Sequence, residues 1–180
     1  MSALTPVDRL YTESAAVISA LGATEPSLAV AASDNFRKAL LLAAASYFEH
    51  RVSSCVLEFI REQANGSGLV IAFVKNKAIS RQYHTWFQWN ETNANQFFGL
   101  FGSDFKQMMG ERIRTSDELR NSIRTFLEVG NERNKLVHQD FASFSLEKTL
   151  DEIYALYRQS LPFVEGLASQ LRACQAPAVT

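Results

Sequence analysis

From Leu41 to Phe59 the apolar residues Leu41, Ala45, Phe48, Val52, Cys55 and Phe59 recur three or four positions apart, the spacing that buries one face of a helix. Helix breakers are scarce. Four prolines and eight glycines are spread through 180 residues, and most fall between such stretches. Pro6 opens a first helix that runs through Leu10, Ala16 and Ile18 to Leu21, with Gly22 as its stop. The long second helix begins near Pro26 or Asp34 and ends at Asn65-Gly66-Ser67-Gly68. Within Leu69 to Ile79, Val70, Ile71, Phe73 and Val74 fit a short strand, whereas Lys75 to Trp89 reads more easily as helix. A polar loop, Asn90 to Asn95, leads into a helix over Phe97 to Ile113, broken at Gly99 or Gly102. Ser116-Asp117-Glu118 has the composition of a helix start, a hydroxyl or Asx cap followed by acid in the first turn. A last helix is expected from about Leu146 to Leu171, kinked or split by Pro162. With no repeat, low-complexity tract or linker, residues 1–180 read as one all-helical domain. Its core covers about 35–172, and 173–180 form a flexible tail.

Eighteen basic against nineteen acidic residues give a formal charge of −1, so any contact with nucleic acid must be local. Cys55 and Cys174 make neither a metal-binding spacing nor a disulfide framework. Neither a signal peptide nor an apolar run long enough to span a bilayer is apparent, so a cytoplasmic protein without a membrane partner is expected. His50, His84 and His138 sit in separate segments, which gives no reason to expect a metal or other cofactor.

On the helix from Ser116 onward each residue advances about 100°. Measured from Leu119, the residues Ile123, Phe126, Gly130 and Val137 lie within about 40° of one line. Arg133 falls about 40° to one side of that line, Asn134 about 60° to the other, and His138 about 100° round. Polar groups at the margin of a buried face must be hydrogen-bonded, and such a conflict between pattern and residue type is where function often resides. Gly130 costs about 1 kcal/mol relative to alanine inside a helix and suits the close approach of another backbone. Asn134 and His138 are one turn apart, but Arg133 and His138 are separated by about 140°, too far for one helix to grip one phosphate. Two antiparallel copies would bring these groups to one groove, with Gly130 at the interface. The plainer alternative is an arginine and a histidine that serve only the helix end and the surface.

The string Glu132-Arg133-Asn134-Lys135-Leu136-Val137-His138-Gln139-Asp140-Phe141 resembles the motif of the HEPN superfamily: an Arg, a polar residue and, after a short spacer, a His. Its wider form, from Phe126-Leu127 through Gly130-Asn131 to His138, is similar to the bacterial RiboL-PSP branch. Tyr47-Phe48-Glu49 and the late Thr149, Glu152-Ile153 and Leu156-Tyr157 extend the similarity. The resemblance implies an up-and-down helical bundle with extra helices or loop between the second helix and the motif helix. It further implies a homodimer formed through the motif helices. Many such proteins are metal-independent endoribonucleases that leave a 2′,3′-cyclic phosphate and a 5′-hydroxyl, some acting as toxins or anti-phage effectors restrained by an antitoxin or sensor protein. Others only bind RNA, nucleotide or protein. Carried onto this chain, Arg133 and His138 would be the catalytic pair, and Asn134 would position His138 or the phosphate. The family's regulatory tyrosine slot, two residues after the His, holds Asp140 here.

Secondary candidates are weaker. Glu49 lies on the face of Leu42, Ala45, Val52 and Val56, so partial burial and pairing with Arg133 are expected, against a solvated glutamate beside Arg51. Lys75, Lys77, Arg81 and His84, interleaved with Tyr83 and Trp86, could guide single-stranded RNA, or be a solvated face whose aromatics lie in the core. Arg112, Arg114, Arg120 and Arg124 allow the same two readings.

Overall fold

Apart from the stretch Lys75 to Trp89, every element expected from periodicity as helix is helical, and the described residues of the computed structural model, 4–174, contain no strand. Thr5 and Asp8 open helix α1 (Pro6–Thr24) with a reciprocal cap: Asp8 donates its backbone N–H to Thr5 Oγ1 at 3.1 Å, and the Asp8 carboxylate accepts the Thr5 N–H at 2.8 Å. Gly22 does not stop α1; the helix passes through it and ends at Glu25, just before Pro26 begins α2 (Pro26–Gln63). Asn65 and Gly66, at φ 47° and 82°, then turn the chain through left-handed backbone. The apolar run that allowed a strand is instead helix α3 (Gly68–Val74), followed by a π-helical turn, Lys75–Ile79, and a 3-10 turn, Tyr83–Thr85. The continuous helix expected over Lys75 to Trp89 is therefore interrupted, with Arg81 at φ 62° between its two turns.

Helices α4 (Asn95–Gly99) and α5 (Ser103–Thr115) are separated where Gly102 adopts φ 99°. Ser116 starts α6 (Asp117–His138), its hydroxyl accepting the Leu119 N–H at 3.2 Å while Asp117 and Glu118 face the positive helix end. A second reciprocal cap, between Thr149 and Glu152, starts α7 (Leu150–Ala173) four residues later than expected; Leu146 is buried in the preceding loop. Pro162 lies inside α7 without splitting it. The tail expected at 173–180 lies, from residue 175, outside the described residues.

The chain forms two compact units. Among the described residues one comprises 4–47 and Glu128–Arg158, so it holds α1, the first part of α2, the end of α6 and the start of α7. Its core is Val7, Leu40, Leu41, Ala44, Val129, Leu136, Ile153 and Tyr157. Tyr11 stacks on Tyr154 at 3.9 Å, while the Tyr154 and Tyr157 hydroxyls donate to Asp8 and Thr5, both at 2.8 Å. The cap of α1 is thus also its attachment to α7. The other unit, Phe48–Leu127 with Gln159–Cys174, has an aromatic core. Phe126 lies 5.0 Å from Phe87, 5.1 Å from Phe163 and 5.5 Å from Phe48, centroid to centroid.

Candidate functional site

The last two turns of α6 carry Arg133, Asn134 and His138 in the first of these units. Upstream, Ile123, Phe126, Val129 and Gly130 are buried; at the end only Leu136 stays inside, fully buried. Val137, expected on the buried line, is 44% exposed. The physical reason is that the buried side turns along α6: near its end it is the side of Val129 and Leu136, both fully buried, and the line through Phe126 on which Val137 falls lies about 60–80° away from it. Arg133 and Asn134 are half-buried at this transition, and His138, the final helical residue, is exposed.

Arg133 Nη1 donates to the Asn134 side-chain oxygen at 3.1 Å. The amide therefore orients the guanidinium of its neighbour, a role that the spacing to His138 did not indicate. Lys135 is paired with Glu132 at 2.8 Å. Beyond His138 the chain turns at Asp140, whose carbonyl accepts the N–H groups of Ser143 and Phe144 at 3.2 and 2.9 Å. Phe141 leaves its ring 46% exposed.

Three residues of α2 that the sequence did not single out hold this post-motif loop. Lys38, only 2% exposed, donates to the Phe141 carbonyl at 3.0 Å, pairs with Asp34 at 2.9 Å and places its Nζ 5.2 Å from the Phe141 ring centroid. Arg37 donates to the Leu146 carbonyl at 2.9 Å and to Asp34 at 3.0 Å. The Lys38 hydrogen bond, together with its charge and that of Arg37, holds the Asp34 carboxyl below its ordinary range despite desolvation.

The remaining candidates belong to the other unit. Glu49 is exposed, contrary to the partial burial expected, because it sits just past buried Phe48 on the outer side of α2; the burial argument for pairing it with Arg133 is gone. Lys75, Lys77, Arg81 and His84 are exposed, but the rings interleaved with them are engaged within their own unit. Trp86 is 5% exposed and donates its indole N–H to the Ala78 carbonyl at 3.1 Å, and Tyr83 packs edge-on against Trp86 and Phe87. The stretch is thus a cationic surface over a packed aromatic core. Arg112 donates to Gln170, Arg120 to Asp117 at 2.5 Å and to the carbonyls of Ile113 and Arg114, and Arg124 to Asn121 at 2.8 Å. These arginines serve helix ends and neighbours.

Among the described residues no cluster of His, Cys, Asp and Glu could hold a metal ion, and no helix is long and apolar enough to cross a membrane. No curated protein and no solved structure matches the chain. The profile of the RiboL-PSP-HEPN family matches residues 13–173, a span that takes in the motif turns of α6, the loop behind them and the capped start of α7. With an all-helical chain and a match over nearly its whole length, this protein belongs to the RiboL-PSP-HEPN family.

Proposed function

We propose that the chain is a metal-independent endoribonuclease whose active site is completed by a second copy of itself. Family membership supports a helical domain that cuts or binds RNA. The observation that carries the finer reading is the end of α6, where a guanidinium oriented by Asn134 and an exposed imidazole share the last two turns. Beside them, Val137 and Phe141 are apolar and unburied. Exposed apolar side chains next to charged ones are what a twofold contact between two such helices would cover; Gly130 is already buried within its own chain and adds nothing to that contact.

In the groove so formed, the 2′-hydroxyl of the bound RNA attacks the adjacent phosphorus. Its proton passes to neutral His138 of one copy, and the protonated His138 of the other copy gives a proton to the departing 5′-oxygen. Arg133 donates to the non-bridging oxygens, on which negative charge builds. The nucleophile is tethered to the phosphate it attacks, so proximity is supplied by the substrate. A restraining antitoxin or sensor, and a role in growth arrest or phage defence, fit such an activity.

The test is cleavage of labelled single-stranded RNA in EDTA by wild type, His138→Ala and Arg133→Ala. Wild-type cleavage to cyclic-phosphate ends is expected, reduced by about 10²–10⁴-fold in His138→Ala, the range for loss of a general acid–base group. A folded dimer that retains RNA without cutting it would replace this reading with a non-catalytic RNA-binding module. Full activity in both variants would remove these residues from the site.

A further inference from the structure

Lysine is among the residues least often buried, and a buried cation must be paired and hydrogen-bonded. Lys38 is 2% exposed and meets both conditions by reaching out of α2 to the chain just beyond the motif helix. Its carboxylate partner, Asp34, lies one turn earlier on the same helix. Its other polar partner, the Phe141 carbonyl, is 103 residues away and only three past His138. The same Nζ faces the Phe141 ring at 5.2 Å. Arg37 repeats the arrangement further along, fixing the Leu146 carbonyl and sharing Asp34.

This clip sits where the helix needs it. The final carbonyls of α6 have no intrahelical donors, so its last turn is prone to fray. His138 is the terminal residue of that turn and is exposed, so packing of its own ring does not hold it. Three residues of chain reach at most about 10 Å, so fixing Phe141 limits how far the last turn of α6 can unwind.

We propose that Lys38 is a positioning residue for His138: by holding Phe141 through carbonyl and ring, it closes the last turn of α6 and keeps the imidazole in register with Arg133 and Asn134. The catalytic part of this inference rests on the nuclease reading above; the clip itself does not.

The experiment compares the full-length wild type with Lys38→Met, Lys38→Gln and Phe141→Leu. Amide hydrogen exchange is measured over 135–147, and single-substrate RNA cleavage is measured in parallel. Lys38→Met raises exchange in that window by roughly tenfold or more while leaving α1 and α7 unchanged. It lowers kcat by about 10–100-fold with KM within about twofold, as expected of a misplaced reacting group. Lys38→Gln, whose amide can still donate to the Phe141 carbonyl, recovers part of both. Phe141→Leu changes an exposed ring and leaves the core intact, so it carries the test should Lys38→Met not fold; it raises exchange by roughly threefold. Unchanged exchange at 135–147 in a folded Lys38→Met, or in Phe141→Leu should Lys38→Met not fold, would overturn the clip. Loosened exchange with wild-type kcat would overturn its positioning role. A wild type that cuts no RNA defeats the nuclease reading and with it the positioning role, while the exchange arm still decides the clip.

Discussion

Asp8→Ala tests how the first helix is attached, because one buried carboxylate serves three tasks there. Asp8, 2% exposed, accepts the Thr5 N–H and hydroxyl as the return half of the α1 cap, accepts the Tyr154 hydroxyl, and lies 3.4 Å from Arg158. Loss of the cap costs about 1 kcal/mol. Loss of the hydrogen bond from Tyr154 to a charged acceptor costs about 1.5–3 kcal/mol. Arg158 is more than half exposed and adds less than about 1 kcal/mol. Relief of the carboxylate's desolvation offsets part of the sum, which leaves a net loss of about 2–3 kcal/mol. For a chain of this size that lowers Tm by about 4–12 °C. The pH dependence has a definite sign. Burial works to raise the Asp8 carboxyl, but the hydrogen bonds from Thr5 and Tyr154, with the charge of Arg158, outweigh it and hold it below the ordinary range. A depressed native pKa stabilises the fold above the unfolded value of about 3.9, and that contribution is lost as pH falls through the native value. Melting followed by far-UV circular dichroism at neutral pH and again below about pH 3 therefore finds a large difference between variant and wild type that narrows in acid. An equal difference at both pH values would refute the electrostatic account, and a neutral-pH loss under about 1 kcal/mol would refute the attachment itself.

Phe126→Ala, at a ring that meets Phe48, Phe87 and Phe163, destabilises the aromatic unit by about 3–5 kcal/mol in urea unfolding. A loss below about 1 kcal/mol would mean that the site collapses around the deletion. Burial, with Glu58 nearby, pushes the Cys55 thiol up to about 11, so roughly one molecule in a thousand carries the thiolate at pH 8. Iodoacetamide therefore leaves Cys55 unmodified in the folded chain, read by peptide mass, and alkylates it after denaturation.

The helical class was legible because period and breaker positions agreed over long stretches; Gly102 and Ser116 mark their boundaries as their residue types suggest. The run Leu69–Val74 misled because a short apolar, β-branched segment satisfies both periods, and in the structure it is a helix with no buried residue. Val137 misled for another reason: a wheel drawn from Leu119 assumes one buried side along the whole helix, whereas near the end of α6 the buried side is that of Val129 and Leu136. Arg133, Asn134 and His138 could be picked out because their side chains contradict the local pattern. Lys38 could not: beside Asp34, an ordinary pair one turn apart, its partners are a carbonyl and a ring 103 residues away, and a backbone carbonyl leaves no trace in the identity of its residue.

Both tryptophans, Trp86 and Trp89, belong to the aromatic unit, where they lie 5.9 Å from Phe97 and from Phe126 respectively. The unit that bears Arg133 and His138 has no indole, only tyrosines such as Tyr11, Tyr154 and Tyr157. Intrinsic emission excited at the red edge thus comes from the aromatic unit alone. Because Trp89 lies against Phe126 of α6, the spectrum follows that helix only in its first part; a variant can keep wild-type fluorescence while the last two turns, which bear Arg133 and His138, have come undone.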